Sequence, residues 1–255
     1  MGIWDKKKSS LLKILILMEV RNKIIRPLII ILPVLWASPL FAQSPINISF
    51  GADEIGKFPS VWLSMDGNIA SKIYSIQAEG EKKFLHADSK GSRIQIGYER
   101  KWVLKEFPIL QWQWRAVLFP TGTNEREKSG NDSVLGLYVV FGRWPFIRAI
   151  KYIWSDTLPM GASFNSPFAK GTKIIVVRSG RSLTGTWVQE KRDVLLDYQQ
   201  FLGDNEKNPV ATGIAILTDS DNTNSYAIGD YADIQAFSPG TGLSGYGMGN
   251  HSRLP

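Results

Sequence analysis

Between residues 43 and 237 the apolar and aromatic side chains come in short runs broken by Gly, Pro, Asn and Asp, which is the rhythm of strands joined by turns. The clearest run is Ile109 to Leu118. There Leu110, Trp112, Trp114, Ala116 and Leu118 share one face at period two, and Gln111, Gln113 and Arg115 share the other. The same reading predicts strands over residues 71–78, 83–87, 93–98, 134–141, 148–154, 173–177, 185–190, 211–218 and 226–237. Residues 134–141 are apolar on both faces, as in a central strand covered on both sides, with Leu135, Leu137, Val139 and Phe141 in the core. One segment breaks the pattern. Val194, Leu195, Tyr198, Phe201 and Leu202 recur at helical spacing, with Asp193 placed to cap the start and Gly203 to end it. The polar stretch Gly122 to Ser133 reads as an exposed loop. Together these elements predict a mainly β chain folded as an antiparallel jelly-roll-like sandwich with one short helix near residues 193–203.

Composition adds an address. Residues 1–42 carry a basic start (Arg21, Lys23, Arg26), an apolar stretch from Leu28 to Trp36 and a small-residue exit at Leu40-Phe41-Ala42, the order of an export signal. Met18 gives a leader of ordinary length, and Met1 adds a second basic and apolar stretch. If the leader is not cleaved it is a membrane anchor, although residues 27–42 fall short of the roughly 20 residues of a spanning helix. Either form places the remainder outside the cytoplasm, periplasmic or secreted. The leader takes seven of the 30 basic residues and two of the 23 acidic ones, leaving a mature chain near +2. A nucleic-acid partner, which needs a concentrated basic face, thereby loses its support. Arg143, Arg148 and Lys151 read as solvated charges. There is no cysteine, so disulfides and lipid attachment through cysteine are excluded. Residues 43–237 suit one domain, and the Gly-rich residues 238–255 read as a flexible tail.

The candidate chemistry lies in two places. The run Thr218-Asp219-Ser220-Asp221-Asn222-Thr223 closes an apolar strand. On an extended backbone Asp219 and Asp221 point the same way, with Asn222 and Thr223 adding neutral oxygens and Asp132 a further acid. Such a set suits calcium, which takes six to eight oxygen ligands. It is not an EF-hand, because Asn224 and Asp230 stand where glycine and glutamate belong. The competing reading is a turn in which these side chains bond nearby backbone groups. The second place is the polar face of the 109–118 strand. Gln111, Gln113 and Arg115 can hydrogen-bond sugar hydroxyls or an anionic group, with Trp102 or Trp144 stacking beside them. Trp112, Trp114 and Trp154 are in phase with apolar neighbours and read as core.

Other chemistries find little support. His86 reads as a strand histidine with a structural hydrogen bond, and His251 falls in the tail. With no cysteine or histidine cluster, zinc and redox metals are not indicated. Gly240-Thr241-Gly242-Leu243-Ser244-Gly245 matches a dinucleotide fingerprint only formally, since no helix can follow it.

Phe58-Pro59, Trp112-Gln113-Trp114-Arg115, Asn131-Asp132, Tyr152-Ile153-Trp154-Ser155, Ser179-Gly180, Trp187, Arg192-Asp193, Asp197-Tyr198, Phe201-Leu202-Gly203, residues 218–223 and Tyr231-Ala232-Asp233-Ile234 occur in an order that resembles the exported bacterial family catalogued as domain of unknown function 3047. The resemblance implies an exported, single-domain sandwich similar to galactose-binding modules, and it implies no activity. The chain departs from the family pattern at Asn131-Asp132, where two acids are usual. Two ligand- or substrate-directed functions stand at this level, beside a scaffold or assembly protein with no small ligand, which an exposed apolar patch would signal. One is a non-catalytic binder of carbohydrate or another envelope component, with a structural calcium. The other is a polysaccharide-active hydrolase or lyase in which Asp132, Asp219 and Asp221 meet in one cleft, with Asp156 or Asp193 as further acids.

Overall fold

The computed structural model describes residues 46–203 and 206–239; the expected leader and most of the Gly-rich tail lie outside them. Among the described residues thirteen strands pack as two sheets. The first has the order β11(Val188–Asp193)-β6(Ile109–Leu118)-β13(Tyr226–Phe237)-β4(Lys82–Lys90)-β3(Tyr74–Glu79), with β1(Asn47–Ile48) on β13. The second runs β2(Leu63–Ser64)-β5(Ile96–Val103)-β12(Val210–Leu217)-β7(Leu135–Phe141)-β8(Arg148–Ser155)-β10(Thr172–Ser179)-β9(Ser163–Asn165). Neighbours are antiparallel, except that β10 runs parallel to β8. The result is a mainly β, antiparallel-rich sandwich of the jelly-roll type.

The inner faces are aromatic. Leu110, Trp112, Trp114 and Ala116 of β6 are fully buried. Trp112 stacks on Tyr152 (5.4 Å) and meets Trp114 edge-on (5.3 Å), and Trp114 contacts Trp154. Such ring pairs add about 0.5–1.5 kcal/mol each beyond the area they bury. Two of the buried indoles keep polar partners: Trp114 Nε1 donates to Glu190 and Trp154 Nε1 to the Gly180 carbonyl. Leu118 does not follow its strand inward. Ile228 pairs with Leu118 but Gly229 pairs with Ala116, so Val117 is an extra residue and the phase flips. Every residue of β7 is buried, as a strand covered on both faces requires.

Several expectations need correction. Residues 71–78 are not one strand: a helix, α1(Gly67–Ile73), precedes β3 because the Asp66 side chain accepts from the Asn68 and Ile69 amides and caps it. The strand expected at 93–98 begins at Ile96 and runs to Val103. The loop 122–133 is not exposed throughout, since Glu125, Asn131, Asp132 and Ser133 are buried. Nor are two of the charges solvated. Lys151 lies on the outer face of β8 with 2% exposure, and Arg148 donates to the Tyr198 hydroxyl and the Leu202 carbonyl. The expected helix is present as α2(Val194–Phe201), capped by Asp193 on the Leu196 amide and followed by Gly203 at φ 38°. Among the described residues no helix is long and apolar enough to cross a membrane.

Candidate functional site

The β12–β13 loop and the end of the β6–β7 loop meet at one end of the second sheet, and Asp132 joins them. Its carboxylate is fully buried. Oδ1 accepts from the Asn222 amide (3.1 Å) and Asn222 Nδ2 (2.8 Å), and Oδ2 accepts from the Thr223 amide (2.7 Å) and Thr223 Oγ1 (2.6 Å). Four donors occupy the roughly four lone-pair sites that a carboxylate offers. Asp219 is clamped to Ser133 in both directions, its amide donating to the Ser133 carbonyl and its Oδ1 accepting from the Ser133 amide at 2.8 Å. Asn224 takes a left-handed conformation at φ 49°, which Asn tolerates, and the turn closes.

This turn does bring the expected acids together. Asp132, Asp219 and Asp221 each place one carboxylate oxygen within 4.8 Å of the others. Asn222 and Thr223, however, face Asp132 with donors rather than offering it free oxygens. Burial pushes the Asp219 carboxyl up to about 6, against the pull of the Lys151 ammonium and with a further push from Asp132. Lys151 is the buried cation behind the turn, its Nζ 3.5 Å from Ser133 Oγ. Burial pulls its pKa down, but the Tyr138 hydroxyl and Asp219 outweigh that and hold it above the ordinary lysine value. Gly136 makes room, since a Cβ there would come within 2.8 Å of Lys151 Cε. Burial likewise raises Glu125, whose Oε2 has no hydrogen-bond partner. Asp156 and Asp193 do not join this group: Asp156 pairs with Arg181, and Asp193 caps α2.

The second place is the outer face of the first sheet. Gln111, Gln113 and Arg115 project there, and register adds neighbours. Gln113 is opposite Gln189, Gln111 is opposite Gln235, and Gln77 is opposite Phe84. Five glutamines therefore line one face that spans about 19 Å across five strands. Lys82 Nζ donates to Gln113 Oε1 at 2.5 Å. Arg115 donates to Asp230 (2.7 Å) and Glu79 (2.9 Å), and Asp230 accepts from His86 Nδ1 at 2.7 Å. His86 thus has the structural bond expected of it. Burial alone would lower the Arg115 pKa, but Asp230 and Glu79 hold it above the ordinary value. The aromatic part of this face is half-buried Trp187, which meets the buried Phe84 ring edge-to-face (5.3 Å), with the Arg115 guanidinium 4.7 Å from the Trp187 ring centre and Lys82 Nζ at 3.9 Å.

Neither expected stacking residue belongs to this face. Trp102 is 1% exposed on the inner side of β5 and offers no ring to a ligand; its period-two phase with Leu104 was the available signal. Trp144 is 44% exposed, but it lies on the β7–β8 hairpin of the other sheet. Sequence reading missed Lys82, Phe84, Asp230 and Lys151. The alternation Lys82, Phe84, His86 along β4 was a usable signal for the first two. Nothing local marked Lys151. The acids and Arg115 do not share a pocket, because they lie on different sheets and Arg115 is committed to Asp230 and Glu79.

Comparison with known proteins adds a family and a set of remote folds. No curated protein matches the chain. Among solved structures, TmCBM61 in complex with β-1,4-galactotriose is 8% identical over 74% of this chain and 93% of its own, with a TM-score of 0.34. The Emp47p carbohydrate recognition domain is 11% identical over 75% and 93%, with a TM-score of 0.38. A Cel12A cellulase derived from that of Rhodothermus marinus is 12% identical over 75% and 98%, with a TM-score of 0.36. The family model described as "Protein of unknown function (DUF3047)" matches residues 62–235, most of the folded domain, and the chain belongs to that family.

Proposed function

We propose that the chain is an exported, non-catalytic glycan-binding protein whose binding surface is the outer face of the first sheet. The observation that carries this reading is the set of Gln77, Gln111, Gln113, Gln189 and Gln235 on one face beside half-buried Trp187 and Arg115. An amide both donates and accepts, which matches the dual character of a sugar hydroxyl. The charges on this face are largely paired with one another, so a neutral polysaccharide of the cell envelope fits better than an acidic one. The reading of residues 1–42 as an export leader supports a periplasmic or secreted location.

The test is titration calorimetry against neutral and acidic envelope polysaccharides. A neutral glycan binds, and Gln113→Ala or Gln111→Ala weakens it by roughly 3–10-fold, the worth of one net hydrogen bond. Absence of heat with every glycan, or an affinity in both variants unchanged from the parent protein, refutes the reading.

A structural calcium at Asp132, Asp219 and Asp221 is a second reading, supported by the convergence of their oxygens within 4.8 Å. Its weakness is that four donors already occupy Asp132. Hydrolysis by the same acids has less support, because Asp132 and Asp219 are at most 1% exposed and a polysaccharide cannot reach them.

A further inference from the structure

The β7–β8 hairpin ends in Gly142-Arg143-Trp144-Pro145-Phe146-Ile147-Arg148. Phe146 is 82% exposed, more than any other large apolar side chain among the described residues, and Trp144 beside it is 44% exposed. They rim an open hollow of about 580 Å³ lined by residues 142–148. The tip is built to hold this shape. The Phe146 amide donates to the Arg143 carbonyl at 2.6 Å. Gly142, at φ 76°, lets the returning chain pass so close that a Cβ would come within 2.5 Å of the Phe146 carbonyl oxygen. The rings are thus kept off the core and pointed to solvent, a position that costs free energy unless something covers them.

The charges around the tip indicate what covers them. Register places the end of β5, the start of β12 and the start of β10 at this same end of the second sheet. Lys101, Lys105, Lys170 and Lys207 therefore stand near Arg143 and the partly buried Arg148, against Glu99, Glu106 and Glu206 among the described residues. The acidic turn of Asp132, Asp219 and Asp221 is at the other end of β7, about 24 Å away along a seven-residue strand. That separation exceeds two Debye lengths at physiological salt. Exposed Trp and Phe where basic residues outnumber the nearby acids, with the Asp132, Asp219 and Asp221 turn held remote, match a lipid interface: aromatic rings favour the headgroup level and each nearby cation is attracted to anionic lipid.

We propose that the 142–148 hairpin is a membrane-docking element that seats Trp144 and Phe146 in the headgroup region of an anionic bilayer. This is independent of the glycan reading, which uses the other sheet.

The chain has no cysteine, so one introduced thiol reports one position. Full-length protein carrying Phe146→Cys, labelled with an environment-sensitive fluorophore, is mixed with phosphatidylethanolamine vesicles containing roughly 30% phosphatidylglycerol, and with neutral phosphatidylcholine vesicles. Lys82→Cys is the control. Emission at position 146 rises and shifts to the blue on the anionic vesicles, the response falls with salt, and position 82 does not respond. Because the label reports the tip itself, the readout is the same whether or not the N-terminal segment also holds the chain to the bilayer. In the complementary measurement Trp144→Ser, read through the label at 146, lowers vesicle partitioning roughly tenfold with the melting temperature unchanged. A label that stays in water while the chain sediments with vesicles overturns the proposal. So does a response equal on neutral vesicles, or one produced by a glycan without lipid.

Discussion

Replacing Asp132 separates a turn from a calcium site. Its carboxylate accepts four hydrogen bonds between 2.6 and 3.1 Å, two of them from backbone amides. Asp132→Ala leaves all four donors without an acceptor and removes the charge that strengthens each bond. Bonds to a charged group contribute about 1.5–3 kcal/mol each, but they are not additive, and water reaches the half-buried donors. A loss of about 3–5 kcal/mol follows, in the range for breaking a buried charged contact. For a domain of this size that is a fall in melting temperature of about 6–20 °C. Asp132→Asn keeps one acceptor oxygen and loses about half as much. The assay is thermal unfolding by circular dichroism, with calcium and with chelator. If the turn holds itself, chelator leaves the parent protein unchanged and each variant falls by the same amount with calcium as with chelator. If instead chelator lowers the parent melting temperature by several degrees and Asp132→Asn adds nothing further in chelator, the hydrogen-bond account is refuted and the acids hold a metal.

Further outcomes follow from the same geometry. Burial raises the Asp219 carboxyl from 3.8 to about 6, so the native state holds the proton more tightly than the unfolded chain and stability from this group falls as pH rises from about 4 to about 6. The drop is about 3 kcal/mol; urea midpoints across that range show it as a slope that Asp219→Asn abolishes, and a slope unchanged in the variant refutes the assignment. Gly136→Ala brings a methyl within 2.8 Å of Lys151 Cε and 3.0 Å of the Leu217 carbonyl, lowering stability by about 1–3 kcal/mol in chemical denaturation. Trp102→Phe, in the core, lowers the melting temperature without changing glycan affinity in calorimetry. Arg115→Ala leaves the buried Asp230 without its guanidinium and weakens both stability and glycan binding, whereas Gln189→Ala, exposed on β11, weakens binding alone.

The sequence by itself determined the layers of this molecule. Period-two alternation is a local property of a strand, so it assigned the two faces of β6 from Leu110 to Ala116 and the double burial of β7. The Asp193 cap, being local, was equally legible. Where a longer-range term competes, sequence pattern failed. Leu118 left the core because a bulge opposite Ile228 shifted its phase. The polar residues of 122–133 went inside because Asp132 found its donors some 90 positions later in the chain, on Asn222 and Thr223. Lys151 looked solvated because nothing in its own segment shows the acids Asp219 and Glu125 that make its burial tolerable.

The same division holds for the candidate surfaces. Gln111, Gln113 and Arg115 were readable as a polar face, since one strand contains them all. That Gln77, Gln189 and Gln235 complete the face, and that Asp230 fixes Arg115, was decided by register between strands distant in sequence. Trp144 was readable as exposed but not as one of a pair held away from the core, because that depends on how the hairpin closes at Gly142. Side-chain chemistry is local, while the free energy that sets where a polar or aromatic group ends up depends on partners that only the folded chain brings within reach.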